Sequence, residues 1–297
     1  MSFLIIGSEG FIGSKLVGTY KTKHDIFGVD LYDSKKVSYP YKKINDLSKD
    51  LKQIFESKQF SVIINAAGSG SVQKSMDNPK NDFKANCFDT IIILDAIRKY
   101  QPTTKYVHIS SAAVYGNPQK LPIQENDITN PLSIYGWHKL ISEKLCFEYA
   151  SIFNLHTAIL RPFSVYGPGL KKQMFWDLYQ KSKNVPLEIF GTGLESRDYI
   201  FIDDLIEAIS LIIKKSEFNS DVYNIASGTE TTIRDAVSIF FNNFENKIEY
   251  YFNNKVRKGD PLNWKADISK LKKLGFTPSV KLEKGMLKTV KWLKRNG

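Results

Sequence analysis

Tyr135 and Lys139 stand four residues apart in the segment YGWHK. In a helix that interval places both side chains on one face, with Cβ atoms about 6 Å apart. A phenol with an ordinary pKa near 10 is a poor base at neutral pH, so using it to remove a proton means lowering that value by roughly three units, about 4 kcal/mol. An ammonium about 5 Å away, at an effective dielectric near 20, supplies roughly 3 kcal/mol of this. The chemistry open to the pair is proton removal from a hydroxyl. Spacing alone does not establish it, because a solvated helix face also sets tyrosine beside lysine.

A second constellation lies at the start of the chain. GSEGFIG, with Gly7, Gly10 and Gly13, follows the apolar run FLII and opens a helical pattern. Glycines permit a tight turn there and let backbone N–H groups approach a pyrophosphate at the helix N-terminus. The next apolar run ends in Asp30, about twenty residues on, where a carboxylate can accept hydrogen bonds from both adenosine ribose hydroxyls. The same carboxylate repels a 2′-phosphate, which favours NAD over NADP. Lys35 and Lys36 are close enough in sequence to keep NADP as the weaker alternative.

These residues need a frame. FLIIG (3–7), DIFGVD (25–30), SVIINAAG (61–68), KYVHISS (105–111) and HTAILRPF (156–163) each read as a buried strand ending in small or polar residues. Amphipathic stretches at 79–100 and 133–153 lie between them. Strands alternating with helices predict a parallel sheet covered on both faces, with ligands beyond the carboxyl ends of the strands. Past residue 163 the rhythm loosens: a helix near 171–184, a strand at LEIF, a helix near 204–215, a strand at VYNIAS, then mixed elements. DLIE at 204–207 predicts a helix start capped by an aspartate.

At 297 residues, 42% hydrophobic and 25% charged, the chain suffices for a large core or one domain with a smaller lobe. Cys87 and Cys146 make no disulfide framework, no signal peptide is evident, and no apolar stretch reaches a membrane span. The expectation is a cytoplasmic protein with no membrane partner. The net charge of +11 is spread along the chain without a nucleic-acid motif, so no nucleic-acid partner is expected; the field would attract a small anionic substrate. His24, His108, His138 and His156 lack metal-ligand spacing, and no metal is expected.

Taken together, the motifs resemble the extended short-chain dehydrogenase/reductase family, in its nucleotide-sugar epimerase and dehydratase branch typified by UDP-glucose 4-epimerase. The resemblance rests on the glycine turn, NAAG at 65–68, ISSAAVYG at 109–116, Tyr135 and Lys139, RPFSVYGPG from Arg161, RDYIFIDD from Arg197, and RKGD…AD from Arg257 to Asp267. It implies a Rossmann-type doubly wound parallel sheet with a smaller mixed α/β C-terminal substrate lobe. The boundaries expected are 1–162 with about 200–222 for the NAD-binding domain, and about 163–199 with 223–297 for the lobe.

The resemblance also implies roles. Tyr135 would be catalytic base and acid, Lys139 would bind the nicotinamide ribose and lower the phenol's pKa, and Ser111 would share the sugar oxygen. Gly7, Gly10, Phe11, Ile12, Gly13, Asp30, Asp46, Leu47, Asn65, Ala66, Ala67, Asn86 and Pro162 would contact the cofactor, with a helix or turn role open for Asp46 and Asn86. Ser111, Ala112, Ala113, Tyr135, Ser164, Arg197 and Arg257 would meet the substrate, the arginines gripping its diphosphate. The 4,6-dehydratases of this branch carry an Asp-Glu pair where Ala112 and Ala113 stand, and methyl groups cannot move protons, which points away from dehydration. The expected function is NAD-dependent 4-epimerisation of a nucleotide-diphosphate sugar through a 4-keto intermediate, as a homodimer pairing the 79–100 and 133–153 helices. The alternatives are a 4-keto nucleotide-sugar reductase or dehydrogenase with the same triad, and a non-catalytic binding protein on this scaffold.

Overall fold

Short runs rich in Ile, Val and Phe give strands buried on both faces, and the strands pair side by side. The computed structural model describes residues 1–34, 38–183, 186–255 and 259–297. Its first half runs β1 (Ser2–Ile6), α1 (Phe11–Tyr20), β2 (Asp25–Asp30), β3 (Tyr41–Lys43), α2 (Leu47–Ser57), β4 (Val62–Asn65), α3 (Val72–Asp77) and α4 (Pro79–Phe83). A π turn over Lys84–Phe88 joins α4 to α5 (Asp89–Tyr100), followed by β5 (Lys105–Ile109), α6 (Ile134–Phe153) and β6 (Thr157–Pro162). The remainder holds β7 (Ser164–Tyr166), α7 (Gln173–Lys181), β8 (Leu187–Ile189), β9 (Ser196–Phe201), α8 (Ile202–Lys215), β10 (Asn219–Ile225), β11 (Glu230–Thr232), α9 (Ile233–Phe241), β12 (Tyr250–Phe252), α10 (Ser269–Lys273) and α11 (Leu282–Asn296).

The main sheet has seven parallel strands in the order β3-β2-β1-β4-β5-β6-β10. One face carries Phe3, Ile5, Ile64, Val107 and Leu160 into a core shared with α1 and α8; the other carries Leu4, Ile6, Ile63, Tyr106 and Ile159 into a core shared with α2 and α5. This is the alternation that a sheet covered on both sides demands. Strand order reverses between β1 and β4, which opens a crevice beyond their carboxyl ends. Beyond the main sheet, β7, β9 and β11 form a three-stranded sheet and β8 pairs with β12.

The helix predicted to start at Asp204 instead begins at Ile202, with Phe201 at its N-cap and no side-chain cap. Asp204 is buried and accepts hydrogen bonds from the backbone of Ser279 and Val280 and from the Ser279 hydroxyl. A partner 75 residues away therefore claims the carboxylate that local pattern assigns to a cap. Among the described residues, no helix is long and apolar enough to cross a membrane.

Candidate active site

β1 ends at Ile6, and Gly7 turns the chain at φ +80°, where side chains are strained. A Cβ on Gly7 would lie 2.7 Å from the Ala67 nitrogen, and one on Gly13 would lie 2.0 Å from the Gly7 oxygen. The turn is thus pressed against the end of β4 and the first turn of α1, and only hydrogen fits. Asp30 closes β2 beside it, accepting from the Glu9 N–H at 3.0 Å and the Leu31 N–H at 2.7 Å. A carboxylate so held stays aimed past the glycine turn.

Ser111, Tyr135 and Lys139 come together across β5 and α6. Ser111 follows β5 and its Oγ accepts from the Ala113 N–H at 3.1 Å. Ser133 caps α6 by accepting from the Gly136 N–H, and the Tyr135 N–H donates to Ser75 on α3 at 3.0 Å. Gly136, inside the Tyr-x-x-x-Lys segment, lets α6 press onto the Ser111 turn: a Cβ there would lie 2.6 Å from the Ala113 oxygen. That close approach sets the Tyr135 phenol beside the Ser111 hydroxyl, in the same cleft. Lys139 is 5% exposed, and its Nζ donates to the Ile109 carbonyl at 2.9 Å.

Burial dominates the electrostatics. It pushes the Tyr135 phenol up to about 12, against the pull of the Ser111 hydrogen bond and with the push of the Asp82 charge. It also lowers Lys139 to about 8, opposed by the negative fields of Asp82 and Glu143. In the protein alone, burial outweighs any lowering of the phenol's pKa by the lysine. Its hydrogen bond runs to a backbone carbonyl, so a lowered phenol pKa requires the positive charge that an oxidised nicotinamide would add. His138, within the same segment, meets Asp82 at 2.6 Å beneath the site and touches no cleft surface.

The three residues sit in a cleft of about 590 Å³ that also exposes Gly10, Phe11, Ile12, Ala66, Ala67, Pro162, Ala113, Ser164 and Arg197. Arg197 extends from β9; its Nη1 donates to the carbonyls of Ser196 and Leu262, and its guanidinium lies 5.6 Å from the Trp264 ring centre. Ser164 opens β7 on the same side. Arg257 lies outside the described residues, as do Lys35 and Lys36. Sequence reasoning missed Lys172, Asp260 and Trp264, which also line the cleft. Asp260 closes the RKGD run and Trp264 lies between that run and Asp267, but neither is assigned a role from sequence, and no motif marks Lys172. Asp198, next to Arg197, accepts from the N–H groups of Ser227, Gly228 and Ala266.

Asp46, Leu47, Ala112, Asn65 and Asn86 stand apart from the residues that line the cleft. Asp46 caps α2 by accepting from the Lys49 N–H, and Leu47 opens that helix against the core. Ala112 is fully buried with Val114 and Tyr115, because the short 3₁₀ turn after Ser111 sends it inward and Ala113 outward. Asn65 turns its carboxamide inward, to the Tyr106 hydroxyl and the Ala67 N–H. Asn86 is buried in the π turn with its Oδ1 unpartnered among the described residues, 2.6 Å from where a Gly68 Cβ would stand. An orphaned acceptor beside the cleft, a glycine cradle and a fixed carboxylate at the end of β2 fit a dinucleotide lying across the strand ends.

A doubly wound parallel sheet with this glycine cradle at its strand ends defines a dinucleotide-binding protein. Sequence comparison agrees: the NAD dependent epimerase/dehydratase family model matches residues 3–226, and the chain belongs to that family as an NAD-dependent enzyme. A putative UDP-glucose 4-epimerase of Methanocaldococcus jannaschii is 30% identical, over 99% of this chain and 98% of that protein. A UDP-glucuronate 4-epimerase of Thermodesulfobacterium geofontis is 29% identical over 99% and 96%. In structure, UDP-glucuronic acid 4-epimerase from Bacillus cereus in complex with UDP-glucuronic acid and NAD is similar, with a TM-score of 0.90, 27% identity and 99% coverage of both chains.

Proposed function

We propose that this enzyme interconverts two nucleotide-diphosphate sugars that differ at C4, through a 4-keto intermediate. The observation that carries the reading is the meeting of Ser111, Tyr135 and Lys139 in one cleft that also exposes Arg197. NAD, held by the glycine cradle, Asp30, Ala66, Ala67 and Pro162, supplies hydride uptake and return at C4. Tyr135 takes and returns the proton of the C4 hydroxyl, and Ser111 shares the same oxygen. Lys139 holds a ribose hydroxyl and favours the phenolate. Arg197 faces the diphosphate, where a guanidinium fork grips two oxygens at once. Ala113 offers a methyl where dehydration would need an acid or base.

The UDP sugars named for the relatives support a uridine carrier. The reading places the enzyme in the cytoplasm, supplying activated sugars for carbohydrate synthesis, as a homodimer. Exposed Phe83, Phe88, Trp137 and Ile141 on α4, the π turn and α6 supply the apolar surface for that pairing.

The test incubates purified protein with UDP-glucose, UDP-glucuronate and their N-acetylated counterparts, without added reductant. Appearance of the C4 epimer of one of them supports the reading. Turnover only of a 4-keto sugar, with strict dependence on added NADPH, would replace it with a one-way reductase.

A further inference from the structure

His108 lies on β5, one residue before the carbonyl that holds the Lys139 ammonium, and it is 1% exposed. Its Nδ1 is 3.2 Å from the Tyr106 hydroxyl and its Nε2 is 2.9 Å from the Ser142 hydroxyl. Both contacts belong to a longer chain whose polarity can be worked out from either end. At the cofactor end the Ala67 N–H can only donate, so Asn65 Oδ1 accepts it at 3.2 Å. The Asn65 amide nitrogen then donates to the Tyr106 oxygen at 3.1 Å, which leaves the Tyr106 proton for His108 Nδ1.

At the catalytic end the Lys139 carbonyl can only accept, so the Ser142 hydroxyl donates to it at 2.8 Å. With its proton spent, Ser142 must accept from His108 Nε2–H. The two derivations meet at one state of the ring: neutral, protonated on Nε2 alone. Burial and the nearby Lys139 charge both press His108 well below its ordinary pKa, which agrees.

We propose that His108, as the neutral Nε2–H tautomer, is a positioning residue that couples the Ala67 end of the cofactor loop to the backbone of Lys139. Every donor points the same way along the chain, an arrangement in which each bond strengthens the next. Lys139 is consequently tied to β5 at both ends: its carbonyl through Ser142 to His108, its ammonium directly to Ile109. Where the loop sets the dinucleotide, the same chain sets the turn of α6 that carries Lys139. The functional half of this inference rests on the epimerase reading; the tautomer does not.

The experiment has two arms. In the unmodified protein, ¹⁵N NMR of the histidine ring is expected to show Nε2 protonated and Nδ1 bare, with no titration between about pH 5 and pH 8. An Nδ1–H tautomer or an imidazolium overturns the proposal, whatever the enzyme's activity. In the second arm Tyr106→Phe and Ser142→Ala each lower kcat roughly tenfold with KM for the sugar nucleotide within about twofold, and the double variant is no slower than either alone, because one chain is cut twice. Multiplying losses, or losses in KM instead of kcat, overturn the coupling. Absence of any NAD-linked turnover in the unmodified enzyme, with the tautomer as expected, sinks the epimerase reading and leaves the chain standing as a structural tie alone.

Discussion

The Nζ of Lys139 lies 2.9 Å from the carbonyl oxygen of Ile109, so the cation of the active site is fastened to the strand that delivers Ser111. Its burial lowers its pKa from 10.5 to about 8. Between those values the unfolded chain binds more protons than the folded one, so this residue makes stability rise with pH across the window. Tyr135 acts the other way and later, since its raised pKa costs stability only as pH passes its ordinary value of 10. Denaturant unfolding of the cofactor-free protein at pH 8 and pH 10 is expected to show a gain of about 2 kcal/mol that Lys139→Met lacks. Equal changes in the two proteins would contradict the assignment.

Tyr135→Phe keeps the ring and removes only the proton carrier. Turnover is expected to fall by roughly 10²- to 10⁴-fold, the usual worth of a positioned acid and base, while the variant still binds NAD. Calorimetric titration with NAD beside initial rates checks both halves, and undiminished turnover would leave the phenol without a role.

Gly13→Ala puts a methyl 2.0 Å from the Gly7 oxygen, into backbone rather than a movable side chain. The expected result is a loss of about 1–3 kcal/mol of stability together with weakened dinucleotide binding. Gly18→Ala, where a Cβ meets nothing within 4 Å, should do neither. Thermal unfolding with and without NAD separates the two variants.

Arg197→Met keeps an unbranched apolar stem and removes the fork, along with its guanidinium contact to the Trp264 ring. The Michaelis constant for the nucleotide sugar is expected to rise about 10- to 100-fold, the value of a charge-assisted pair, with a smaller change in kcat. A drop in kcat at constant KM would place Arg197 at the reacting carbon instead.

How far the site could be read beforehand follows from the range of the interactions involved. β2 runs over Asp25–Asp30 as its apolar pattern indicates, and Asp30 and the glycine turn are local consequences of strand length and turn geometry. Tyr135 and Lys139 were legible because a helix fixes their spacing. Gly136 was equally visible, yet its meaning depends on Ala113 arriving from β5. Asp204, Lys172 and Trp264 owe their places to contacts with chain far away in sequence, which no local pattern encodes. The burial shifts at Tyr135 and Lys139 are likewise not written in their spacing, since desolvation is a property of the packed whole.

The outward methyl of Ala113 bears on the fate of a ketone held in this cleft. A carbonyl at C4 makes the neighbouring C–H bonds acidic, and any base within reach would bleed the intermediate into elimination products. With an inert wall at that position, the trapped ketone has a single fast exit, reduction back to an alcohol. On the proposed route, the fidelity of the enzyme would come from withholding a reaction as much as from promoting one.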